Sequence, residues 1–113
     1  MRVEEPGIDR HVWETEWEDL QPLVRESPGE ALPEVDQLVA RMMDARELPL
    51  EERPGEELAE RETTREFAEA RRITRLLDAG EDVDPGDVAH AVEAYDSLYR
   101  ELLDFGPTAG SAA

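Results

Sequence analysis

Apolar residues recur along the chain at intervals of three and four, with polar residues between them, so the pattern is helical from end to end. Trp13, Trp17, Leu20 and Val24 form the first stripe, and Glu14, Glu16, Glu18 and Asp19 occupy its other sides. Asp9 is placed to cap this helix. Pro22 interrupts it: the ring clashes with the carbonyl four residues earlier, which predicts a kink or break near 18–22. The second stripe, Leu32, Val35, Leu38, Val39, Met42 and Met43, is the strongest. Ser27-Pro28-Gly29-Glu30 ahead of it has the order of a capping box, with Pro at the first helical position. Pro33 offers an alternative start. Met42 and Met43 suit a gap-filling role in the core.

Residues 47–56 hold two prolines and a glycine and form the main connection. A helix over 56–79 follows, with Gly80 in the C-cap role. Its first half is almost wholly charged, with pairs such as Glu57–Arg61 and Arg65–Glu69, and a buried stripe starts only at Phe67 (Ala70, Ile73, Thr74 and Leu77 continue it). That front half is expected to be solvated, to project, or to lie against a partner. Arg71, Arg72 and Arg75 suit the negative end of the helix dipole. The last helix starts at Asp84-Pro85 with Asp87 in its first turn and runs through Val88, Ala91, Val92, Tyr95, Leu98, Tyr99, Leu102 and Leu103. Phe105-Gly106-Pro107 stops it.

The predicted fold class is therefore all-α, a small four-helix bundle whose first helix is kinked at Pro22. The helices fall near 9–26, 28–46, 56–79 and 85–104, because four single-stripe helices bury best against one another. Residues 1–106 make one helical domain and 107–113 a flexible tail. Trp13, Trp17, Leu20, Leu77 and Val92 are expected in the core beside the central residues of the later stripes.

Charge changes this picture more than composition does. Among 113 residues, 30 acids oppose 12 bases, all of them Arg, for a net charge of -18 and a pI near 4.3. Repulsion of this size keeps a protein soluble and strains its compact state, so added salt should stabilise the fold. Adaptation to a salt-rich interior explains the charge without any specific function. Nucleic acid and membrane are excluded as partners, since both need a basic patch. No cysteine is present, which removes disulfide, thiolate-metal and thiol chemistry. The N-terminus carries no apolar run of signal-peptide type, and the expected location is cytoplasmic. Half of the third helix has nothing to bury, so a homodimer, or docking to another protein, is expected.

Chemical motifs lead to no assigned catalytic, cofactor-binding or metal-binding residue. Asp82, Asp84, Asp87 and Glu93 mimic parts of a calcium loop, but Gly86 stands where a ligand is needed and Asp87 where glycine is needed. His90-x-x-Glu93 reverses the di-iron order and occurs once, so His11 and His90 are expected at the surface. Glu66-x-x-Glu69 and Glu93-x-x-Asp96 resemble the paired acidic motifs of all-α nucleotide pyrophosphatases, in which carboxylates on facing helices hold Mg²⁺. The function expected first is a protein-interaction or self-associating module without enzymatic activity. Two alternatives stand beside it. One is an acidic mimic of nucleic acid, favoured by seven acids and no base over residues 76–99. The other is the Mg²⁺-dependent pyrophosphatase.

Three stretches together, residues 13–28 (WETEWEDLQPLVRESP), 31–43 (ALPEVDQLVARMM) and 80–103 (GEDVDPGDVAHAVEAYDSLYRELL), resemble a widespread group of small, uncharacterised proteins of high-GC Gram-positive bacteria. The resemblance covers about two-thirds of the chain, in order. It departs at Asp96, where the group usually has Arg after the Tyr. What it implies is a compact helical domain and no known activity.

Overall fold

A computed structural model describes residues 6–51 and 58–104, with side chains at 10–51, 58 and 60–104. Four helices account for nearly all of it: α1 (Pro6–Glu26), α2 (Pro28–Ala45), α3 (Leu58–Asp78) and α4 (Pro85–Asp104). No strand occurs among the described residues, as the periodicity requires. The C-terminal stop, the 107–113 tail and the Glu57–Arg61 pair lie outside the described residues.

Local details depart from the sequence expectation at two helix starts. Helix α1 begins at Pro6 rather than after Asp9, because proline's fixed φ suits a first helical position and leaves no amide to satisfy. Of the kink or break expected at Pro22, the break does not occur, since α1 runs through Pro22 as one helix. The capping box ahead of α2 does not form, since the Ser27 side chain makes no cap bond. Ser27 joins α1 to α2 by itself: its amide donates to the Leu23 carbonyl at 2.7 Å and its carbonyl accepts from Ala31 at 3.0 Å. With Pro28 next in line, that backbone bond does the capping.

Two helices end in the same motif on different residues. At the end of α3, Gly80 adopts φ +83, its amide bonds the Leu77 carbonyl, and Glu81 bonds Leu76. At the end of α2, Glu47 takes the left-handed position at φ 61, its amide bonds Asp44, and Leu48 bonds Met43. Both are Schellman ends, and only the first has the residue that adopts φ > 0 without strain. Leu48, carried inward by the second, is buried.

The core lies between α2, α3 and α4, and α1 packs chiefly on α2. Leu32, Leu38, Val39, Met42, Met43, Phe67, Tyr95 and Leu98 are buried almost completely. Trp13, Trp17, Leu20, Leu77 and Val92, expected inside, are only half-buried at its edge. The front of α3 is not bare: Thr63 and Thr64 are buried there, and Thr64 Oγ1 donates to the Pro49 carbonyl at 3.2 Å. Threonine presents a methyl with its hydroxyl, which an apolar count misses. The described part of the α2–α3 connection thus meets this face at Thr64, while Leu58, Glu62 and Arg65 stay exposed.

The C-terminal carbonyls of α4 are satisfied from a distance. Arg46 Nε donates to the Leu102 carbonyl at 3.3 Å, and Arg10 Nη1 to Leu103 at 3.1 Å. No basic residue sits in that helix's own last turn, so arginines from α1 and the end of α2 take the role.

Candidate functional site

The interior of the α2, α3 and α4 cluster contains one polar network. Asp36 replaces an apolar residue within the α2 stripe, between Leu32 and Val39, and is 5% exposed. Arg71 reaches it from α3 with Nη2 at 2.7 Å from Oδ1 and Nε at 3.1 Å from Oδ2. Tyr95 Oη on α4 donates to Asp36 Oδ2 at 2.7 Å. Thr74 Oγ1, 2.7 Å from Tyr95 Oη, also donates to the Ala70 carbonyl at 3.0 Å. Tyr95's proton goes to Asp36, so Thr74 divides its single proton between that ring oxygen and the carbonyl.

Electrostatics follow from burial. The Tyr95 phenol is pushed far above its ordinary value, chiefly because the protein interior disfavours the phenolate and then because Asp36 stands beside it. Bonding to Asp36 raises Arg71, whose guanidinium also lies 4.7 Å over the Phe67 ring. Arg71 was expected to serve the helix dipole; a buried carboxylate within reach is a stronger partner than a half-charge at a helix end. The acid inside the α2 stripe is the sequence signal that betrays this network. These four residues tie three helices together.

Two open grooves flank α4. The first, between α3 and α4, has a volume of about 660 Å³ and brings together Glu62, Glu66, Glu69, Arg65, His90 and Glu93. Glu66 is half-buried, and desolvation followed by the like charge of Glu101 pushes its carboxyl pKa up. Glu69 is held below the ordinary carboxylate range, chiefly by its bond from Arg72 Nη2 at 2.7 Å. His90 is exposed, as is His11.

The second, a notch of about 190 Å³ between α1 and α4, is lined by Trp17, Val24, Val35 and Val92, with Gln21, Glu93 and Asp96 at its rim. Near it the Trp17 and Tyr99 rings stack at 4.1 Å and 4°, which together with Arg10 joins two helices that otherwise meet little. Glu93 lines both grooves.

The four acids that resemble a pyrophosphatase set therefore divide. Glu66, Glu69 and Glu93 share the first groove, while Asp96 borders the notch and accepts a bond from Arg100 Nε at 3.0 Å. Among the described residues, no group of three His, Asp or Glu is placed to hold a metal ion. Asp82, Asp84 and Asp87 of the calcium-like set sit at or just before the start of α4, where the Asp84 carbonyl accepts from the Asp87 and Val88 amides, while Glu93 lies mid-helix. No helix among the described residues is long and apolar enough to cross a membrane. No protein-family model, curated protein or solved structure matches the chain.

Proposed function

We propose that this protein is a non-enzymatic interaction module that binds a basic segment of another protein along the α3/α4 groove. The supporting observation is the convergence of Glu62, Glu66, Glu69 and Glu93 from two helices on one open groove, in a chain of net charge -18. Glu66 adds a reason for binding: it is held half out of water beside Glu101, a strain that an incoming cation relieves. Complementary charge of this kind speeds encounter and selects partners. The nucleic-acid mimic is the form of this proposal in which the partner is a DNA-binding protein. The exposure of Asp78, Glu81, Asp82, Asp84, Asp87 and Glu93 favours it. Self-association is the weaker form, because α3 buries its own threonines and a second copy brings the same charge. Kinship with the small helical proteins of high-GC Gram-positive bacteria belongs to the same proposal and adds no activity.

Titration of an Arg-rich helical peptide into isotopically labelled protein tests it. Shifts confined to α3/α4 groove residues, lost on Glu66→Gln with Glu69→Gln, are the expected result. Shifts spread evenly over every exposed acid would show counter-ion behaviour and sink the proposal.

A further inference from the structure

The α1/α4 notch is the unexplained part of this surface. Its floor is apolar, yet Trp17, Val24 and Val92 remain only half-buried there, above the buried Val35. Half-buried apolar residues such as Leu20 and Leu77 occur elsewhere too, and Val12 and Leu58 are exposed outright, but the notch gathers its three around one hollow. A notch of about 190 Å³ has room for one side chain, since a cavity of about 150 Å³ takes a benzene-sized molecule. Its rim carries Glu93 and Asp96, the second of them paired with Arg100.

We infer that the notch seats one apolar side chain, of leucine or phenylalanine size, from the same basic segment that lies in the α3/α4 groove. This rests on the proposed function and specifies its ligand: a segment with an apolar anchor flanked by arginine or lysine. Glu93 makes the link, because it lines notch and groove alike, so a chain crossing α4 at that point reaches both. Charge selects the occupant. A second copy would bring a net charge of -18 against an acidic rim, whereas a basic segment places its cations on Glu93 and the groove carboxylates. An apolar anchor in a pocket with charged surroundings is also how small interfaces concentrate their affinity.

Two synthetic peptides decide the matter: an Arg-rich helical peptide with a single Leu, and its twin with Ala in place of that Leu. The Leu peptide should bind about tenfold tighter, the size of effect expected for partial burial of one leucine. It should shift the Trp17 indole and the Val24, Val35 and Val92 methyl signals, and its twin should not. Val92→Ser should weaken the Leu peptide toward its twin and leave the twin unchanged. Val24→Ser gives the same reading should the first variant fail to fold. Equal binding of the two peptides overturns the anchor while the proposed function stands. Binding of neither overturns both. A mass rising with concentration above 12.8 kDa, with notch signals shifting and neither peptide reversing it, would assign the notch to a second copy and refute the inference.

Discussion

Helix α4 is held on one side by buried hydrogen bonds and on the other by a ring stack and the exposed Arg10. Toward α2 and α3, Tyr95 closes a buried network in which Asp36, Arg71 and Thr74 are all engaged. Toward α1, Tyr99 stacks on Trp17 beside an open notch, and neighbouring Trp13 keeps a buried Nε1 that has no hydrogen-bond partner. The first side is specific, because a buried carboxylate tolerates only an arrangement that satisfies it. The second is tolerant, since stacking and apolar contact survive small shifts of α1. The difference separates a part that sets the fold from a part whose packing tolerates change.

The sharpest way to break this comparison is to unpair the buried acid. Arg71→Leu leaves the Asp36 carboxylate, whose side chain is 8% exposed, without its cation and should destabilise the fold by about 3 kcal/mol in denaturant melts. Adding Asp36→Leu should recover much of that loss, because a buried ion pair replaced by apolar residues is often near neutral. On the tolerant side, Trp17→Ala should cost about 2 kcal/mol, less than a fully buried aromatic, and should loosen α1 before the rest in amide exchange. Equal protection loss across all four helices would erase the distinction.

Alkali probes the same contrast. Burial raises the Tyr95 pKa in the folded protein above the unfolded value of about 10, so its contribution is present below about pH 10 and disappears as pH rises beyond it. Tyr99 is raised too, first by burial and then by Glu14 and Glu18. Phenolate absorbance should therefore appear together with loss of helix signal rather than before it. A tyrosine that ionises with the fold intact would place it in water.

Smaller effects sit at the two helix ends that border the specific side. Gly80→Ala should cost about 1 kcal/mol, all of it from the left-handed backbone, because nothing lies within 4 Å of an added Cβ. Glu47→Gly should stabilise by about 0.5 kcal/mol, since the strain removed at φ 61 outweighs the freedom added to the unfolded chain. A loss of stability in the second variant would mean that Glu47 holds its place by contacts of its side chain.

By itself the sequence determined the number and type of the helices, the glycine stop at Gly80, the core stripes of α2 and α4, and the charge that favours a basic partner. Those depend on spacing, caps and composition, which act over a turn or two of chain. Tertiary structure alone decided where Asp36, Arg71, Thr74 and Tyr95 meet, how α3 covers its threonines, and which arginines close α4. It also split the acids of two similar motifs between two grooves, with Glu93 on both and Asp96 on one. Such pairings join residues 15 to 93 positions apart. No local pattern encodes them, because the angle at which two helices cross decides which of many equivalent polar side chains come within 3 Å.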